Sequence, residues 1–146
     1  MASFGLWEYS CDRQATIEAY ARIDRGGSET CTCNGCRNFS AARPHVFPSK
    51  FLALLNSVGI DSAKDGEVYH NGQLSPGVHD YGGWFHFVGT LDKTGDFPVM
   101  QPADGFSAWL CRRHAPALRG LDGLTLVQVE FHAERVPWVL PESAAT

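Results

Sequence analysis

Residues 81–89 restrict the possible folds of this chain more than any other stretch of its sequence. Successive side chains of a β-strand point to opposite faces of the sheet. One face of this segment would carry Trp84 and His86, and the opposite face would carry Phe85 and Phe87. Because both faces are bulky, the segment predicts a central strand that is covered on both sides.

Several other segments have the aromatic-rich or alternating sequences that predict β-strands. They are residues 4–9, 14–24, 67–70, 106–113 and 124–133. Residues 14–24 are also rich in Ala, Glu and Arg, which favour a helix. However, small or apolar residues alternate strictly with larger, mostly polar ones in this segment, which favours a strand. A helical turn is the alternative for residues 106–113. In residues 124–133, Gln128, Glu130 and His132 should face outward.

Turn signals bound these strands. Residues 67–70 are followed by Asn71 and Gly72, a pair typical of hairpin turns, and residues 91–95 are predicted to form a turn after the central strand. Residues 136–141 are apolar and bounded by prolines, which suits the edge of a sheet.

One long helix is predicted, over residues 48–58. Pro48 is tolerated in a first helical turn because its missing N–H has no partner there. Apolar residues recur at helical spacing from Phe51 to Val58, and Gly59 is a typical C-terminal stop. Residues 38–45 should be irregular because prolines bracket them.

These patterns predict the fold class α+β. The 146 residues suit a single domain over 1–146, built mainly from an antiparallel sheet of five or six strands. The main helix packs on this sheet, and a cysteine-rich loop precedes it. The residues expected to be almost fully buried are Leu52, Leu55, Val88, Val127, Val129 and Phe131.

Charge and cysteine usage limit the possible functions. Sixteen acidic residues against twelve basic ones give a net charge of −4, so neither nucleic acid nor a membrane surface is expected as a partner. The N-terminus resembles no secretory signal, and no apolar run approaches about 18 residues. Five cysteines are a poor disulfide framework, so we expect a cytoplasmic protein.

Three of the five cysteines fall within six positions, in the sequence Cys-Thr-Cys-Asn-Gly-Cys. Cys33 and Cys36 form a C-x-x-C pair around Asn34 and Gly35, residues that suit a tight turn. Cys31 can add a third sulfur on the same side if its segment is extended. This C-x-C-x-x-C spacing predicts a metal-binding knuckle.

Zinc is the expected metal, because thiolates are its usual structural ligands and tetrahedral coordination needs about four donors. The predicted ligands are Cys31, Cys33, Cys36 and, as the nearest histidine after the cluster, His45. A chain of this length has its own core, so the ion would fix a local region and not the whole fold.

The sequence supports three functional hypotheses. The first is a small zinc-binding protein whose knuckle is structural and which binds a protein partner. The second is an enzyme with a cysteine-based or metal-based active site, which combines Cys33 or Cys36 with a pocket histidine such as His86 and with Glu67. A thiol-redox pair belongs to this hypothesis, but the prolines after the cluster should delay the helix that would lower a thiol pKa. The third is a binding or inhibitory module without metal.

Overall fold

The computed structural model describes residues 2–93 and 95–144, and within these residues the chain folds as seven strands and four α-helices, in agreement with the α+β prediction. The strands are β1 (Ala2–Phe4), β2 (Trp7–Cys11), β3 (Glu67–Ser75), β4 (Val78–Lys93), β5 (Met100–Ala103), β6 (Phe106–Arg112) and β7 (Leu126–Pro137). The helices are α1 (Arg13–Ala21), α2 (Gly27–Thr30), α3 (Asn34–Ala42) and α4 (Ser49–Ser57). Two 3-10 helices cover Arg43–His45 and Arg119–Leu121.

All strands join one antiparallel sheet around the long strand β4. The order is β1-β2-β4-β7-β6-β5, and β3 also pairs with β4. β7 follows one edge of β4, where Phe85 lies opposite Val129. β2 and β3 share the other edge, because β3 pairs with the first half of β4 and β2 with its last residues. The prediction of a central strand is therefore confirmed.

The two faces of the sheet are covered differently. On one face, Phe39 of α3 and Phe51 of α4 are fully buried against Phe85 and Phe131 of the sheet. On the other face, the segment after β6 crosses the strands, and the indole of Trp84 donates a hydrogen bond to a carbonyl of that segment at 3.1 Å. Sheet and helices thus enclose one aromatic core.

The strand predicted at residues 14–24 is wrong, because this segment forms helix α1. Asp12 caps the helix, and its carboxylate accepts a hydrogen bond from the N–H of Ala15 at 3.0 Å. The buried residues are Thr16, Ala19 and Tyr20, which have helical spacing and not the period of a strand. Alanines fit either pattern, so the alternation was not diagnostic.

The irregular structure predicted at residues 38–45 is also wrong. α3 occupies this region up to Ala42, and the 3-10 helix Arg43–His45 continues it. The α-helix ends two residues before Pro44, which has no N–H to extend the hydrogen-bond ladder. The helix predicted at residues 48–58 is confirmed as α4, and Gly59 follows it with φ +86°. α4 is one of three nine-residue helices among the described residues, not the single main one.

Strand boundaries differ from the predictions at three places. The predicted strand 4–9 is two strands, β1 and β2, joined at Gly5 with φ +59°. β3 runs past Asn71 and Gly72 to Ser75, because two shifts in its register with β4 each absorb one extra residue. Residues 91–93 are not a turn, since they continue β4 and pair with β2; residue 94 lies outside the described residues. The five or six strands predicted from the sequence thus become seven among the described residues.

The predicted core is correct at four of its six positions. Leu55, Val127, Val129 and Phe131 are at most 1% exposed. Leu52 is 41% exposed, because it lies on the outer side of α4, and Val88 is only partly buried at the end of the β4–β7 pairing. Gln128 was expected to face solvent but is fully buried, because the segment after β6 covers it. None of the helices formed by the described residues has the length and apolar character to cross a bilayer.

Truncating a buried side chain of this core should destabilise the protein far more than truncating an exposed one on the same helix. Leu55→Ala or Phe131→Ala should lower the free energy of unfolding by about 2–5 kcal/mol, since each leaves a cavity. Leu52→Ala is the matched control, and a loss of less than about 1 kcal/mol is expected there. Urea denaturation measures all three, and equal losses for Leu52 and Leu55 would contradict this core.

Candidate metal centre

Helix α3 begins at the cysteine cluster. Cys33 is its N-terminal cap, and the Cys33 Sγ accepts a hydrogen bond from the backbone N–H of Cys36 at 3.4 Å. Asn34 and Gly35 are the first helical residues, so a helical turn presents the C-x-x-C sulfurs. The predicted tight turn is therefore the first turn of a helix, and the prolines that follow do not delay this helix.

The three sulfurs of the cluster lie close together. Cys31 and Cys33 both have extended backbone, and their Sγ atoms are 3.2 Å apart. The Sγ atoms of Cys31, Cys33 and Cys36 all lie within 4.8 Å of one another. Thiolates on a tetrahedral zinc ion with bonds of about 2.3 Å stand roughly 3.8 Å apart. The cluster therefore needs only small side-chain movements to hold one metal ion.

The sheet fixes the position of this cluster. The hydroxyl of Tyr81 in β4 donates a hydrogen bond to the carbonyl of Gly35 at 2.8 Å. Gly35 also lies directly against β3, where an added Cβ would come within 3.0 Å of the Cβ of His70. A larger residue in place of Gly35 would push the helix away from the strand. The glycine thus permits close packing, and the sulfurs are held beside β3.

The sulfurs border a cavity of about 680 Å³ between α3 and β3. The residues around it include Thr30, Glu67, Val68, Tyr69, His70 and Leu118. Cys31 and Cys33 are exposed, and Cys36 is partly buried with its Sγ 4.0 Å from the carbonyl oxygen of Val68. A ligand on an ion at the cluster would therefore enter from this cavity.

The two thiols of the C-x-x-C pair differ in acidity. The hydrogen bond from the backbone N–H of Cys36 lowers the pKa of Cys33 from its ordinary value. Burial raises the pKa of Cys36, and its hydrogen bonds with the neighbouring cysteines raise it further. The exposed sulfur at the helix N-terminus is thus the better thiolate of the two.

His45 is not brought to the sulfurs. It lies at the end of the 3-10 helix Arg43–His45 and borders a different cavity, beside Phe106 and Arg135. Among the described residues, the metal-ligating group at this place consists of the three cysteines alone.

His70 borders the sulfur cavity, and sequence reasoning missed it. Its Nε2 lies 2.8 Å from Nδ1 of His79. When Nε2 donates this hydrogen bond, Nδ1 of His70 keeps a free lone pair. Burial lowers the pKa of His70, and His79 lowers it further, which favours the neutral imidazole that binds metals. No local motif marks His70, because only the pairing of β3 with β4 places it beside α3.

The alternative active site is assembled only in part. Glu67 borders the sulfur cavity, but His86 is not among the described residues around it. His86 is buried on β4, and its Nε2 lies 3.1 Å from Oε1 of Gln128. This histidine is a buried, hydrogen-bonded group.

No protein-family model, curated protein or solved structure matches this chain. Its function must therefore be inferred from the arrangement of its own residues.

The difference in acidity predicts the order of thiol modification. In reduced, metal-free protein, iodoacetamide should alkylate Cys33 at a lower pH than Cys36, because only the thiolate reacts. Peptide mass spectrometry of samples quenched across a pH series measures both sites in one chain. Denatured protein is the control, since unfolding removes the hydrogen bond and the burial that separate the two thiols. Earlier alkylation of Cys36 would contradict the assigned geometry.

Burial of His86 predicts an acid-sensitive contribution to stability. Burial lowers the pKa of His86 from 6.5 to about 4. Below pH 6.5, His86 is therefore protonated in the unfolded chain but stays neutral in the folded chain. The free energy of unfolding falls as the pH approaches 4. Between pH 7.5 and 4.5 this group should cost about 2–3 kcal/mol.

His86→Gln isolates this contribution, and the exposed His45→Gln is its matched control. The free energy of unfolding in urea should depend less on pH in His86→Gln than in the wild type, while His45→Gln should follow the wild type. An unchanged pH dependence in His86→Gln would show that the imidazole is protonated in the folded state.

Proposed function

We propose that this chain is a zinc-binding protein in which Cys31, Cys33 and Cys36 hold the ion. The observation that carries the proposal is the convergence of the three Sγ atoms within 4.8 Å. Thiolates are the usual ligands of structural zinc, and clustered cysteines in a reducing compartment are typical of metal sites. Zinc would also lengthen the 3.2 Å separation between the Sγ atoms of Cys31 and Cys33 to about 3.8 Å.

The fourth ligand comes from the cavity side. His70 replaces His45 as our candidate because it borders the same cavity as the sulfurs. Its hydrogen bond with His79 would orient the ring, as a second group commonly does for a metal-ligating histidine. A water molecule or a donor from a bound partner is the alternative fourth ligand.

The ion would have a structural role. It would join the loop before α3 to the first turn of that helix, and through His70 to β3. The aromatic core lies between the helices and the sheet and does not include the cysteines. Loss of zinc should therefore loosen the region around α2 and α3 while the sheet stays folded.

We also propose a protein partner and a cytoplasmic location. Tyr69 is 39% exposed on the rim of the sulfur cavity, and exposed tyrosine is typical of contact surfaces between proteins. The net charge of −4 disfavours nucleic acid. All five cysteines are free, which suits a reducing compartment.

Thiol-disulfide exchange is the second candidate, and the position of Cys33 at the start of a nine-residue helix favours it. The Cys33 thiolate would attack a substrate disulfide and release one substrate thiolate, which takes a proton. Cys36 would then lose its proton and attack the mixed disulfide. The products would be a Cys33–Cys36 disulfide and a fully reduced substrate, so two electrons pass from the protein to the substrate. If the protein neither binds zinc nor exchanges disulfides, the remaining hypothesis is a metal-free binding module.

Zinc content and melting temperature in Cys33→Ser separate the two candidates. Protein without an affinity tag, purified without chelators, should lose one equivalent of zinc per chain in this variant, together with several degrees of melting temperature, because metal binding is coupled to local folding. Cys11→Ser is the matched control, since Cys11 is exposed and outside the sulfur group.

A redox dithiol predicts the opposite result. Cys33→Ser would then keep its metal content and melting temperature, and Cys36→Ser would accumulate a mixed disulfide with a model substrate. Wild-type zinc content and melting temperature in Cys33→Ser would rule out the zinc site.

A further inference from the structure

A second group of metal-ligating side chains lies on the face of the sheet opposite the aromatic core. One ligand atom from each of Cys111, His114 and Glu130 lies within 4.8 Å of the others. The Cys111 Sγ is 3.6 Å from Oε2 of Glu130, and Nε2 of His114 is 3.7 Å from the same oxygen. One sulfur, one nitrogen and one carboxylate oxygen thus lie close together.

Strand pairing creates this group. Trp109 of β6 lies opposite Glu130 of β7, and Cys111 lies opposite Gln128. Cys111 and Glu130 are therefore diagonal neighbours on one face of the sheet. The group is independent of the three cysteines beside α3, because it draws on none of their strands or helices.

Buried Gln128 places the third ligand. Its Oε1 accepts hydrogen bonds from the backbone N–H groups of His114 and Ala115, each at 3.1 Å. The same oxygen lies 3.1 Å from Nε2 of His86, which supports it from within the sheet. The segment after β6 is thereby held across the strands, and the imidazole of His114 stands above Glu130. This role explains why a glutamine on an outward-facing position is fully buried.

The carboxylate of Glu130 is also held in place. The indole N–H of Trp109 donates a hydrogen bond to its Oε2 at 2.9 Å. Such outer contacts orient the ligands of metal sites. Glu130 is partly buried, while His114 remains exposed, with a side chain 62% accessible. Two ligands are therefore fixed by the sheet, and the third can turn to adjust its geometry.

We propose that Cys111, His114 and Glu130 form a second site for a divalent ion of the zinc class. Around tetrahedral zinc, a thiolate and a carboxylate oxygen stand about 3.6 Å apart, and an imidazole nitrogen and a carboxylate oxygen about 3.4 Å. The observed sulfur–oxygen separation of 3.6 Å equals the first value, and the observed nitrogen–oxygen separation of 3.7 Å is slightly longer than the second. The side-chain N–H of Gln128 donates a hydrogen bond to Nε2 of His114 at 3.1 Å. Nε2 would give up this hydrogen bond to bind the ion, which the exposed ring can do by turning.

The ligand set leaves one coordination position free. Three protein ligands with an open fourth position are typical of zinc sites that bind water or a ligand molecule. The exposed side of His114 faces solvent, so that position is accessible. This second ion would therefore be able to bind a small anion or water, whereas zinc at the three cysteines would be structural.

Counting zinc in single variants tests the second site. Full-length, tag-free, reduced protein is stripped with a chelator, loaded with excess Zn²⁺ and desalted, and zinc per chain is measured by elemental analysis. The wild type should retain two equivalents, and His114→Ala should retain one. His114→Ala should keep the wild-type fold because the side chain is exposed. Glu130→Gln, which preserves an acceptor for Trp109, should also lose one equivalent.

Alkylation of Cys111 gives an independent readout. Zn²⁺ should protect Cys111 from iodoacetamide in the wild type and in the Cys33→Ser variant, but not in His114→Ala. Equal zinc content in His114→Ala and the wild type, or no protection of Cys111 by Zn²⁺, would overturn the second site. The two proposals can fail separately. If Cys33→Ser loses zinc and His114→Ala does not, the second site is contradicted. If His114→Ala loses zinc and Cys33→Ser does not, the three-cysteine site is contradicted.

Discussion

The antiparallel pairing of β4 with β7 is the interaction on which the rest of the structure depends. The two strands pair from Val78 opposite Pro137 to Val88 opposite Leu126. This register places Phe85 and Phe131 on the face that α3 and α4 cover. A shift by one residue would exchange the two faces of a strand, so the core and the polar face are specified together.

Both candidate metal sites depend on that register. On the helix side, Tyr81 of β4 is hydrogen-bonded to the first turn of α3 and thereby positions the C-x-x-C sulfurs. On the opposite side, Gln128 of β7 holds the segment after β6, which carries His114, and Glu130 of β7 is itself one of the second group of ligands. The sheet therefore supports two candidate sites of different character. One is rich in sulfur and lies at a helix N-terminus, and the other has mixed ligands and an open position.

Local patterns in the sequence predicted the features that depend on local physics. The bulky residues on both faces of 81–89 indicated the central strand, and helical spacing between flanking Pro48 and Gly59 indicated α4. The C-x-C-x-x-C spacing brought three sulfurs together without any long-range contact. α1 was missed because alternating alanines fit a strand as well as a helix, although Asp12 is a recognisable cap. α3 was missed because the prolines around residues 38–45 suggested irregular structure, and because cysteine is an unusual helix cap.

Residues that meet only through strand pairing were beyond the reach of local patterns. His70 approaches the sulfurs because β3 pairs with the first half of β4, and no spacing in the sequence expresses that. His45, the nearest histidine along the chain, is carried to another cavity by the 3-10 helix that contains it. Likewise, Glu130 occupies an outward-facing position in the alternating sequence of its strand. Only its neighbours on β6 and on the segment after β6 identify it as a candidate ligand.

X-ray absorption at the zinc edge tests the central claim, zinc at the three cysteines, most directly. The His114→Ala variant is suited to it because its only expected ion is at that cluster. The spectrum should show three sulfur atoms at about 2.3 Å and one nitrogen or oxygen at about 2.0–2.1 Å. A zinc ion surrounded only by nitrogen and oxygen, or by a single sulfur, would contradict a three-cysteine site.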